Sequence, residues 1–148
     1  MSKLSLSEAN SIIETAFAQA RSRGMPPIAV AVLDAGGHLQ SLQRGDGVSF
    51  LRVDISFGKA WGALAMGVGT RQLADRYLQG TQQEGFINAL NAMTGGKVVP
   101  LPGGVLIQEP NGQVLGAVGI SGAAAEDDEA CAVAAVEAAG YRAVPAAP

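Results

Sequence analysis

The sequence predicts an α+β domain, a five-stranded and mostly antiparallel sheet with helices packed against it. Two observations carry most of that reading. Apolar runs fold back on themselves across Gly-rich turns at two places, Ile28 to Gln43 and Val105 to Ile120, which marks two hairpins. The sequence before, between and after them has its apolar residues at helical spacing. The length, 148 residues, suits one domain with a substantial core, and nothing between residues 1 and 148 reads as an internal boundary.

The elements follow in order. Ser5-Leu6-Ser7-Glu8 is a capping box, with Ser5 as N-cap and Glu8 reaching back. Ala9, Ile12, Ile13, Ala16, Phe17 and Ala20 then form one helix face, and Gly24 with Pro26-Pro27 ends the helix. Ile28 to Leu33 and His38 to Gln43 are strands around the turn Asp34-Ala35-Gly36-Gly37. Leu51 to Val68 reads as a helix whose second half is apolar on all sides apart from Lys59. Thr70 is expected to cap a further helix carrying Leu73, Tyr77 and Leu78, and Phe86 to Met93 to form a short one. Lys97 to Leu101 is expected to supply the fifth strand. Val105 to Ile107 and Val114 to Ile120 flank Asn111-Gly112, a strong hairpin signal. Glu126 to Ala139 is the last helix, and the Ala/Pro-rich tail from Tyr141 to Pro148 is expected to fray.

Composition excludes several classes. Charged residues are only 16% of the chain, net charge is −3 and aromatics are 5%, so neither a basic footprint nor stacking platforms for nucleic acid are present. One cysteine, Cys131, rules out an intrachain disulfide and any thiolate-rich zinc site, and no metal site is expected. No run approaches the ~18 apolar residues of a membrane span. The N-terminal residues lack the apolar core of a signal peptide, so the expected location is the cytoplasm. So few charges on a chain of this size predict a homo-oligomer, with part of the surface covered by further copies.

Three constellations have the residue types for chemistry. His38 is the only histidine and follows the Gly-Gly turn; it reads as a solvated turn residue or as a ligand or acid–base group. Lys59, in its apolar helix, must snorkel, pair with a carboxylate or be tuned by desolvation. Glu126-Asp127-Asp128-Glu129 stabilises the positive end of a helix dipole, and Ser121-Gly122 directly before it brings backbone N–H groups to the same spot. Gly103-Gly104 is a second place where a ligand can approach the backbone closely.

Taken together, these residues resemble the GlcG/HbpS-like haem-binding and haem-degrading family, and the C-terminal domain of PduO-type corrinoid adenosyltransferases. Ile28 to Leu39 is similar to the family's first hairpin, Arg44-Gly45-Asp46-Gly47 to its Arg-x-Asp-Gly turn and Gly58-Lys59-Ala60 to its Lys-Ala helix. Leu101-Pro102-Gly103-Gly104, Gly116 to Gly122 and Glu126-x-Asp128-Glu129 follow in the family's order. The resemblance implies a profilin-like three-layer α/β/α fold, a homo-oligomer from tetramer to octamer, and a small-molecule site near the Gly-rich turns. Gly62 stands where the family pattern has a threonine, and Ala123-Ala124 where a glycine and a hydroxyl residue are common, which removes hydroxyl ligands for iron.

Two functions follow as expectations. One is haem or tetrapyrrole binding or degradation, with His38 or Tyr77 as axial ligand. The other is a cofactor-independent catabolic enzyme, such as an aryl-hydroxylamine lyase acting on a small aromatic acid. There Lys59 would polarise an anionic substrate and Glu126 or Asp128 would shuttle a proton. In either case Gly103, Gly104, Ser121 and Gly122 are expected to line the ligand site. Fold alone does not choose between them.

Overall fold

A computed structural model describes residues 3–148. The elements run α1 (Leu6–Ser22), β1 (Ala29–Asp34), β2 (Leu39–Arg44), α2 (Leu51–Met66), α3 (Thr70–Tyr77), α4 (Thr81–Met93), β3 (Gly104–Gln108), β4 (Val114–Ser121), α5 (Ala125–Ala138) and β5 (Arg142–Val144). The five strands form one sheet in the order β2-β1-β4-β3-β5, and every neighbouring pair is antiparallel. Both predicted hairpins are present, and the β1 and β4 strands pair along their full shared length, Ala29 opposite Ser121 through Asp34 opposite Gly116.

Side-chain alternation sorts the strands onto two cores. Val30, Val32, Val105, Ile107, Val118 and Ile120 face α1 and α5. Leu33, Leu106 and Ala117 face α2, which gives the three-layer α/β/α arrangement. Because both faces are covered, the central strands read as unbroken apolar runs. A third cluster, Leu73, Ile87 and Val98, joins α3 to α4 beside Trp61.

The α2 helix lays its backbone directly against the sheet because the sheet presents glycine to it. A Cβ at Gly119 would lie 1.9 Å from the Ser56 carbonyl oxygen, and one at Gly104 would lie 2.2 Å from that of Lys59. The helix returns the favour at Gly58, whose missing side chain makes room for Val99.

The capping box forms as the spacing requires: Ser5 Oγ accepts from the Glu8 N–H, and Glu8 Oε1 accepts from the Ser5 N–H. Four expectations are corrected. Residues 97–101 are not a strand, since Pro100 and Pro102 lack the N–H a ladder needs and fix φ. The fifth strand is instead β5 in the tail, where Leu106 pairs with Val144 and Gln108 with Arg142. The tail therefore does not fray; beyond β5 the Ala146 carbonyl accepts from the Gly69 N–H at 2.7 Å and that of Pro145 from the Arg71 N–H at 3.3 Å. Those carbonyls serve the start of α3, whose N-cap is Gly69 and not Thr70. The Thr70 hydroxyl is engaged elsewhere, accepting from the Gly104 N–H at 2.8 Å. The helix ending at Met93 also begins earlier than expected, at Thr81.

Candidate functional site

Lys59 and Asp128 meet. Lys59 Nζ lies 3.3 Å from Asp128 Oδ2 and donates to the Ile120 carbonyl at 2.8 Å. The other carboxylate oxygen, Asp128 Oδ1, accepts from the Ala123 N–H at 3.0 Å. Both side chains are sealed from solvent, 2% and 1% exposed. Burial lowers the Lys59 ammonium from its ordinary range and raises the Asp128 carboxyl, and their mutual attraction opposes both shifts. Gly103 is packed against the lysine so closely that a Cβ there would stand 2.8 Å from Nζ.

The remaining residues predicted for this site lie around the pair as packing. Gly104 lies against the Lys59 backbone, and the Ser121 hydroxyl accepts from Arg52 Nη1 at 3.2 Å. Gly122, at φ 154°, fits under the Pro27 carbonyl. Glu126 is exposed at the start of α5 and reaches Lys59 only through its longer-range charge. The neighbouring acid Glu129 holds Arg71 of α3 by a bidentate pair, at 2.9 and 3.1 Å from Nε and 2.9 Å from Nη2. The structure thus brings Lys59, Asp128, Gly103, Gly104, Ser121 and Gly122 together as closed packing and leaves Glu126 at the surface.

His38 lies at the other end of the sheet, on the β1–β2 turn. The turn is organised by Asp34, whose Oδ1 accepts from the backbone N–H groups of Gly36 at 2.9 Å and His38 at 3.0 Å. The same oxygen lies 3.3 Å from His38 Nδ1. Partial burial works to raise the Asp34 carboxyl, but the His38 and Gly36 N–H groups outweigh it and hold it below its ordinary value. The imidazole is 81% exposed and borders a groove of about 300 Å³ with Leu4, Ala35, Val114 and Leu115 among its walls and Lys3 at its edge. On the opposite side the turn rests on Trp61, whose indole nitrogen would be 3.5 Å from a Cβ at Gly37.

Tyr77 does not border this groove. It ends α3, packs against the Leu73–Ile87 cluster and donates its hydroxyl to Asn88 Oδ1 at 3.2 Å. Sequence reasoning missed Asp34 as the partner of His38 and missed Leu4, Val114 and Leu115 as groove walls. The signal for Asp34 was present: an aspartate opening a Gly-Gly turn is placed to accept the turn's N–H groups. The groove walls come from β4 and from the segment before α1, which only the tertiary fold brings beside the turn.

Comparison with known proteins covers nearly the whole chain. The family described as "Haem degrading protein HbpS-like" matches residues 4–137. A Citrobacter freundii protein, described as an uncharacterized 15.0 kDa protein in the dhaT-dhaS intergenic region, is 32% identical over 111 residues, 75% of each chain. The crystal structure of a PduOC–haem complex superposes with a TM-score of 0.83 at 28% identity, covering 95% of this chain and 97% of that one. Klebsiella pneumoniae ORFY gives a TM-score of 0.83 at 26% identity over 95% and 93% of the two chains. A double mutant of Streptomyces reticuli HbpS gives 0.76 at 26% identity over 93% and 88%.

Proposed function

Since the chain belongs to the HbpS-like family of haem-degrading proteins, we propose that it binds haem at the β1–β2 turn, with His38 as axial ligand to the iron. The observation that carries this reading is the setting of the imidazole. Nδ1 faces the Asp34 carboxylate and the ring stands exposed beside an apolar groove, which leaves Nε2 for a ligand. A histidine whose second ring nitrogen meets a carboxylate is the usual arrangement for metal ligation. A tetrapyrrole also suits the walls: Ala35 and Val114 offer apolar surface to a ring face above the buried Leu4 and Leu115, and Lys3 offers a cation to a propionate. The volume is at the small end for ligand pockets, about 300–1,000 Å³, so the groove takes part of a macrocycle. The relative solved with haem supports the same ligand class.

The other candidate residues have less to offer a ligand. The Tyr77 hydroxyl is committed to Asn88, and Lys59 is committed to Asp128 and Ile120 with no exposure to a substrate. When bound, haem supplies an iron centre for oxygen or redox chemistry. This chain's own contributions are an imidazole ligand, apolar walls and one cation.

Titration of the purified protein with haem tests the proposal. A Soret shift is expected, retained in Tyr77→Phe and lost or strongly weakened in His38→Ala. The absence of any spectral change, or an unaltered spectrum and affinity in His38→Ala, would overturn it.

A further inference from the structure

We propose that Asp34 and Gly36 are positioning residues that fix His38 as the Nδ1–H tautomer with Nε2 turned outward, an inference that rests on the reading of His38 as the iron ligand. Two independent geometrical facts point to them. Asp34 Oδ1 is the common acceptor at the turn, taking the Gly36 and His38 N–H groups and standing 3.3 Å from His38 Nδ1. The ring also lies directly over Gly36: a Cβ there would be 2.9 Å from Nδ1 and 3.0 Å from Cε1. Gly36 is not among the positive-φ glycines, so its backbone does not demand glycine; a Cβ there would instead push the exposed imidazole from its present place.

The two residues do different work. In a neutral imidazole the partner of one nitrogen decides which nitrogen keeps the proton. A carboxylate accepts only, so it draws the proton to Nδ1 and leaves the Nε2 lone pair for a metal. Gly36 supplies the space that lets the ring lie back against Asp34. Without that space an exposed side chain has three staggered choices and loses its fixed direction. The chain places a carboxylate and a position without a Cβ within four residues of its single histidine.

Nitrogen-15 NMR of the haem-free protein tests this directly, since one histidine gives one imidazole signal pair. The native protein is expected to show the Nδ1–H form as the major neutral tautomer. Asp34→Asn keeps an oxygen for the two backbone N–H groups but can also offer an N–H to the ring, so the tautomer population should shift toward Nε2–H. Gly36→Ala should produce the same shift by displacing the ring, with the circular dichroism spectrum unchanged. Haem affinity of both variants should fall about 10- to 100-fold, as for other partners of metal-bound histidines. Asp34→Glu should restore part of the Nδ1–H population. An unchanged tautomer ratio in both Asp34→Asn and Gly36→Ala would overturn the proposal. Failure of the ligand reading would look different: His38→Ala would bind haem as the native protein does, while the haem-free spectra would still decide what Asp34 and Gly36 do to the ring.

Discussion

Lys59 and Asp128 tie together the two helical layers that the sheet separates. The lysine stands on α2 and the aspartate in the first turn of α5, and their 3.3 Å contact passes round the end of β4, where the Ile120 carbonyl takes a further ammonium hydrogen. Removing one member leaves the other charged and buried. Lys59→Met should therefore lower stability by about 3–5 kcal/mol in urea or thermal unfolding at neutral pH. Burial raises the Asp128 carboxyl and the Lys59 ammonium opposes that rise, so without Lys59 the folded protein would hold the carboxyl proton to higher pH than the unfolded chain does. The deficit of Lys59→Met should shrink as pH falls through that interval, and Lys59→Met combined with Asp128→Asn should be less destabilised than Lys59→Met alone. A single variant as stable as the native protein would refute this account.

A second tie joins α1 to the segment before β5. The Tyr141 hydroxyl donates to Glu8 Oε2, the far oxygen of the capping-box glutamate. That bond, then the Ser5 N–H, holds the Glu8 carboxyl below its ordinary value of 4.5. The stabilisation is present above that value and is lost as pH falls through the lower folded one. The same bond, with burial, pushes the Tyr141 phenol up to about 12. Its stabilisation is full below the phenol's ordinary pKa and disappears as pH rises toward 12. Tyr141→Phe should cost about 1 kcal/mol near neutrality and less at either extreme, as denaturation at several pH values would show.

The tail makes a third testable contact. Gly69 has φ −65° and ψ 152°, open to any residue, but a Cβ there would fall 1.9 Å from the Pro145 carbonyl carbon. Gly69→Ala should displace the tail and strip α3 of its two carbonyl acceptors, at a cost of about 1–2 kcal/mol, comparable to losing a cap. A chain ending after Val144 should show the same rise in amide exchange at Gly69 and Arg71. Unchanged exchange in both variants would show that the tail carbonyls do not hold the helix.

Self-association is expected from the surface. Phe50, Leu78 and Met93 are 78%, 84% and 76% exposed, an unusual outlay of large apolar side chains for a chain with so few charges. Light scattering at micromolar concentration should report a species larger than 15 kDa, and aspartate at Phe50 or Leu78 should reduce it. A monodisperse particle of 15.0 kDa would contradict the expectation.

Legibility in the sequence followed the range of the interaction. Ser5 with Glu8, the Asp34 turn and Asn111-Gly112 act over a few residues, and each forms where its residue types place it. The fifth strand was misplaced because β5 has three residues and takes its pairing from β3, more than thirty positions away. Nothing local distinguishes Arg142-Ala143-Val144 from the rest of an Ala/Pro tail. That Lys59 could pair with a carboxylate was legible, because a lone ammonium in an apolar helix must snorkel, find an anion or be tuned by desolvation; that the partner is Asp128 and not Glu126 was not. The pair's closure from solvent was not legible either, since that depends on how Gly103 and Gly104 pack over it. Leu4 and Leu115 as groove walls were equally beyond reach, because they meet only after α1 and β4 have docked.

The depth at which α2 rests on the sheet sets how this protein tolerates change. Buried aliphatic positions such as Leu106 or Ile120 are defined by volume, and a neighbour of similar size costs little there. Gly104 and Gly119 are defined by vacancy, because a single added carbon would meet helix backbone and not a movable side chain. A saturation library scored for folding should therefore be graded at the aliphatic sites and all-or-none at these two. Drift can rewrite the oily residues of the sheet one at a time, while the two bare positions hold the distance between helix and strand fixed.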